Sequence, residues 1–102
     1  MGHGLRPGQL VTSRAGRDKG KPFFVIRVLD ERYVEVADGE TRSGSRPKRK
    51  NVRHLQPHRW VHEGLAERLA RDDIPPDEEL RQMLEAMIET ATRGGVAPGG
   101  SG

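Results

Sequence analysis

The sequence predicts a mainly β protein, a small antiparallel β-barrel followed by one or two C-terminal α-helices and a disordered tail. Three observations carry this prediction. Turn residues punctuate residues 8–55 at short intervals. The runs between those turns are rich in β-branched and aromatic side chains. Beyond Pro57 the apolar residues change to three- and four-residue spacing.

In chain order, residues 1–7 read as a flexible N-terminus, and strands are expected at 9–13, 23–29, 33–37 and 51–55 within a barrel spanning residues 8–59. The links between these strands are too short for crossover helices, so the strands must pair antiparallel, and so small a sheet protects its edges by curling. Alternation points Val11, Val25, Val34, Val36 and Leu55 inward. The run Phe23-Phe24-Val25-Ile26 is apolar at every position and sets no register. A short helix and linker follow over residues 60–75, with Leu65 and Leu69 on one face and a break at Asp72-Asp73-Ile74-Pro75-Pro76.

An acidic amphipathic helix is expected over residues 76–93. Leu80, Met83, Leu84, Met87, Ile88 and Ala91 form its apolar stripe. Pro76 suits its first turn, Asp77, Glu78 and Glu79 suit the positive end of its dipole, and Gly94-Gly95 ends it. Residues 94–102 read as a disordered Gly-rich tail. The stripe has several available uses: packing over an open side of the barrel, which is favoured, dimerisation, docking of a protein partner, or screening of the basic half.

Charge divides the chain. Residues 1–62 hold fourteen Lys/Arg against six Asp/Glu, or +8, and residues 63–102 hold four against nine, or −5, which together give the +3 of the whole. A basic lobe calls for a polyanionic partner. No apolar run is long enough to span a bilayer or to serve as a signal peptide, so no membrane partner is expected. The absence of cysteine removes disulfides and thiolate chemistry and suits a cytoplasmic location.

The basic residues concentrate in two segments. In the first, Gly16 and Gly20 can adopt positive φ and admit a phosphate close to the backbone, Asp18 can bond the turn's own amides, and Arg14, Arg17, Lys19 and Lys21 surround the tip. The second runs from Arg42 through Arg46, Lys48, Arg49 and Lys50, with Arg53 and His54 behind it. Its Gly, Ser and Pro content predicts a mobile loop that orders against a phosphate backbone. Aromatic residues are scarce; Tyr33 and Trp60 could stack on bases but read better as packed, so phosphate and shape recognition are expected more than base readout.

The segment from Pro7 to Lys21, with Gly16-Arg17-Asp18-Lys19-Gly20-Lys21 between a strand and the apolar run to Val28, resembles the KOW motif. Ala37-Asp38-Gly39 and Val52-Arg53-His54-Leu55-Gln56-Pro57 are similar to later strands of the KOW-containing large-subunit ribosomal proteins of archaea and eukaryotes and their small bacterial relatives. The resemblance covers roughly residues 8–59. It implies an SH3-like barrel whose loop contacts RNA or protein. Phe23 departs from the glycine that many such motifs carry there, a position where ribosomal-type members accept apolar residues.

The expected function is therefore non-catalytic RNA binding, to ribosomal RNA or the ribosome, through the basic loops of the barrel. The alternative is a protein-interaction module that docks a ribosomal or transcription-elongation partner through the barrel and residues 76–93. No cofactor, metal or small-molecule substrate is expected. His54, His58 and His62 share a four-residue spacing, but Pro57 interrupts the helix that would align them, and no serine has a base and orienting acid in view.

Overall fold

The structure, a computed structural model, describes residues 3–92. Five strands form one antiparallel sheet: β1 (Gln9–Ser13), β2 (Pro22–Val28), β3 (Tyr33–Ala37), β4 (Lys48–Asn51) and β5 (Leu55–Val61). Their order is β4-β3-β2-β1-β5, so the chain's last strand returns beside its first, and a 3-10 turn at Val52–His54 joins the two edge strands into a barrel-like curl. Two helices follow, α1 (Glu63–Ala70) and α2 (Asp77–Thr92).

Both faces of the central strands are buried. Val11, Phe23, Val25, Val34, Val36 and Leu55 fill the inside of the curl, which places all five residues expected there. Leu10, Phe24, Ile26 and Ala37 point the other way and meet Leu65 of α1 and Leu80 and Leu84 of α2. The unbroken apolar run of β2 now has its reason, since a strand covered on both sides has no polar face to alternate with. Phe23 and Phe24 are both fully buried, one in each layer. Each such side chain contributes roughly 1.5–3 kcal/mol by its removal from water. The stripe of α2 thus packs on the sheet, with Met83, Met87 and Ile88 half-buried at its margin.

Three boundaries differ from expectation. Of the strand expected at 51–55, residues 52–54 form the 3-10 turn between the end of β4 and the start of β5, and the Asn51 side chain accepts the Arg53 N–H there. The preceding strand, β4, lies inside the segment expected to be a mobile loop. It has no apolar residue, but as an edge strand it needs only backbone pairing with β3. Residues 60 and 61 belong to β5, where Val61 pairs with Gln9, and α1 begins only after His62, whose Nδ1 caps it by accepting the Leu65 N–H at 3.0 Å. The expected helix end at Arg93 and the tail 94–102 lie outside the described residues, as do residues 1 and 2.

Turns are fixed by carboxylates. Asp30 accepts the N–H groups of Arg32 and Tyr33 in the β2–β3 hairpin. Asp38 accepts those of Glu40 and Arg42 together with the Thr41 hydroxyl after β3. Burial works against the Asp38 charge, yet these donors outweigh it and hold the carboxyl below the usual aspartate range.

Candidate nucleic-acid interface

The first basic loop is closed on itself. Gly20 N–H donates to Ser13 O at 2.8 Å and Ser13 N–H to Lys21 O at 2.9 Å, so the loop leaves the barrel as a short finger containing a 3-10 turn at Gly16–Asp18. Gly16 and Gly20 have φ of +77° and +87°, the region only glycine enters freely. A Cβ built on either would meet nothing within 4 Å, so the backbone there faces open space. Arg14, Arg17, Lys19 and Lys21 are exposed around it.

Asp18 does not serve the turn's own amides. Its buried carboxylate lies 3.6 Å from Arg42 Nη2 and 3.7 Å from Lys50 Nζ, and Lys50 also donates to Ser13 Oγ at 3.1 Å. The two basic segments are therefore tied together through one acid. Arg14 N–H reaches His54 O at 2.8 Å and brings the 3-10 turn, with exposed Arg53 and His54, to the same end of the barrel.

The second segment is anchored as well. Asp77, at the start of α2, accepts the Gly44 N–H at 2.9 Å and the Ser43 hydroxyl at 3.1 Å. The expectation of a mobile loop over residues 42–50 is corrected accordingly, because a tied turn leads directly into β4. Along β4, Arg49 points outward and stacks over the Tyr33 ring at 4.8 Å, Lys48 is half-buried, and Lys50 points inward. Among the expected phosphate-contacting residues Lys50 stands apart, since its side chain is only 9% exposed and is engaged with Asp18 and Ser13. Arg42 is half-buried, and its Nε has no hydrogen-bond partner within the protein. Arg46 is exposed in the turn before β4.

The three histidines at four-residue spacing sit in three separate settings. His54 is exposed, His58 Nε2 shares a 2.7 Å hydrogen bond with Thr12 Oγ1, and His62 caps α1 and packs edge-on to Phe24 with ring centroids 6.0 Å apart. Among the described residues no group of three His, Asp or Glu is placed to hold a metal.

The candidate interface is thus a basic end of the barrel, where exposed guanidinium and ammonium groups of both segments come together. Sequence reasoning located both segments but missed the stacking of Arg49 on Tyr33 and the bridging role of Asp18. The charge of Asp18 amid Arg17 and Lys19 was visible, but its burial depends on the strand register.

No family model matches the chain. Similar curated proteins carry the name large ribosomal subunit protein eL14. That of Pyrobaculum calidifontis is 34% identical over 79 residues, covering 78% of this chain and 70% of the relative. That of Hyperthermus butylicus is 26% identical over 81 residues, covering 79% and 76%. The match to the Pyrobaculum arsenaticum protein, 34% identical over 50 residues, spans about half of each chain. A match of 79 residues is longer than residues 1–59 can supply, so the likeness extends past the barrel into the helical half. With this identity and coverage, the chain belongs to the eL14 family of large ribosomal subunit proteins.

Proposed function

We propose that the chain binds structured ribosomal RNA as a non-catalytic component of the ribosome, in the cytoplasm, with the Gly16–Lys21 loop and the Arg42–His54 segment against phosphates. The observation that carries this reading is the tie through Asp18. It spends Lys50 and part of Arg42 on structure and thereby holds Arg14, Arg17, Lys19, Lys21, Arg46, Arg49 and Arg53 on one rigid frame. Preset cations lose little entropy when they meet a phosphate backbone. Gly16 and Gly20 leave room for a phosphate at the loop's own amides. The relatives are named as proteins of the large ribosomal subunit, which supports ribosomal RNA as the partner.

The alternative, a protein-docking module working through the last helix, has less to stand on. Leu80 and Leu84, the centre of the stripe it would present, are buried against the sheet. What α2 offers a protein partner is its acidic outer face.

The test is the salt dependence of binding to a structured rRNA fragment. Counterion release makes affinity fall steeply with salt, and replacing Arg17, Lys19 and Lys21 by alanine is expected to flatten the slope by about one unit for each phosphate no longer neutralised. An affinity indifferent to salt and to these substitutions would refute the reading.

A further inference from the structure

The cover that α2 lays over the sheet is incomplete at the end nearest the basic loop. Its fully packed residues, Leu80 and Leu84, lie in its first half. Towards its C-terminus the stripe dwindles to half-buried Ile88 and Ala91, and opposite them the sheet presents the polar Thr12 and His58 among its apolar residues. Between them is an open cleft of about 470 Å³. Leu10, Pro22 and Trp60 form its wall on the sheet side, Ile88 and Ala91 its wall on the helix side, and Gly20 of the phosphate loop its rim.

We propose that this cleft receives an unpaired nucleobase of the RNA whose backbone is held by the Gly16–Lys21 loop. The proposal rests on the RNA-binding reading above and adds base recognition to it.

Four observations select this occupant. The cleft has the size and make-up of a small-ligand site, mostly apolar with a few convergent polar groups. Trp60 supplies an aromatic surface for stacking, the interaction by which single-stranded bases are most often held. Thr12 and His58 supply the polar part of the lining, bonded to each other at 2.7 Å through Oγ1 and Nε2, and the hydroxyl keeps further hydrogen-bonding capacity. Burial lowers the proton affinity of His58, so the imidazole is neutral at pH 7, with one nitrogen donating and the other accepting. The surroundings are cationic: among the described residues no carboxylate lines the cleft, Gly20 joins exposed Lys19 and Lys21, and the Arg59 guanidinium lies 5.9 Å from the Trp60 ring. A neighbouring cleft of about 330 Å³ has no aromatic residue in its lining and mixes Asp38, Glu40 and Glu85 with Lys21 and Arg81, so it offers a base no stacking surface. A base whose phosphate sits on the loop has the first cleft within one nucleotide's reach.

Trp60 is the chain's single tryptophan, so its fluorescence reports directly on the site. The experiment titrates the full-length protein with three probes at fixed salt: single-stranded oligoadenylate, an abasic ribose-phosphate oligomer of the same length, and duplex RNA. Oligoadenylate is expected to quench Trp60 and the abasic oligomer is not. Ala91→Phe, which fills the cleft, and Thr12→Val, which keeps its shape and removes the hydroxyl, are each expected to weaken oligoadenylate binding about tenfold while leaving duplex binding unchanged. The double substitution Arg17→Ala and Lys19→Ala should weaken all three probes. Equal quenching by the abasic oligomer, or oligoadenylate affinity unchanged in both cleft variants, overturns the base site while duplex binding still supports the phosphate-gripping reading. Absence of binding to every probe overturns that reading and the site with it.

Discussion

Lys50 and Lys19 are chemically the same side chain placed in opposite circumstances, and the difference decides what each does. Lys19 is exposed on the loop, so its removal is expected to cost little stability and, under the proposed function, to weaken RNA binding. Lys50 is buried, with Asp18 its nearby charge of opposite sign and Ser13 its hydrogen-bond partner. Removing the acid leaves a buried ammonium and a half-buried guanidinium facing each other uncompensated. Asp18→Ala is therefore expected to destabilise the fold by about 3 kcal/mol, the usual cost of breaking one side of a buried ion pair. Urea unfolding measures this, and Lys19→Ala, expected within about 0.5 kcal/mol of the parent, is the matched control. If Asp18→Ala proved as mild as Lys19→Ala, the two basic segments would not be held together by this acid.

Among the elements, α2 is positioned as much by backbone as by its apolar stripe. Gly39 follows β3 with φ of +78°, and a Cβ there would lie 2.7 Å from the Arg81 amide nitrogen on α2. A glycine at this turn is what lets the helix approach the sheet. Gly39→Ala should cost about 2–4 kcal/mol, from backbone strain together with displacement of α2, as read by thermal or urea unfolding. A near-neutral result would mean that the helix does not seat here. The same turn marks where sequence reading succeeds and where it stops. β3 was legible because Val34 and Val36 alternate, β1 because its short apolar and β-branched run lies between clear turn signals, and the packing stripe of α2 because its spacing is helical. β4 was not legible, because Lys48-Arg49-Lys50-Asn51 has no apolar residue and joins the sheet by backbone bonds alone. The burial of Lys50 follows from its place opposite Val34, an inward-facing position, and a pairing register is a long-range fact absent from the local sequence. The candidate site divides in the same way. The glycine and lysine spacing of the first loop suggests the proposed phosphate grip locally, whereas the cleft at Thr12, His58 and Ile88 exists only once three distant segments have been brought together.

At the scale of the whole molecule, the +8 and −5 halves invite a picture of a basic barrel with a detachable acidic appendage. The packing argues otherwise. Leu65, Leu80 and Leu84 all come from the helices and cover Leu10, Phe24, Ile26 and Ala37, a full layer of the core. Three leucines removed from water at roughly 2 kcal/mol each amount to about 6 kcal/mol, comparable with the entire stability of a small domain. A fragment ending at residue 62 would expose that layer and also lose the Asp77 anchor on Ser43 and Gly44. Arg68, which bridges Asp73 and Glu79 at 3.0 and 2.6 Å, joins α1 to α2, so the two helices are expected to be lost or kept together. The full chain should therefore melt in one cooperative transition. The fragment should bind a hydrophobic dye, self-associate and show no cooperative melt, and its RNA affinity should fall as the basic loops lose their frame. If the acidic half served mainly to screen the basic face, the fragment would instead stay folded and bind RNA more tightly than the full chain. Unfolding followed by near-ultraviolet dichroism, with RNA affinity measured on the same two proteins, separates these outcomes.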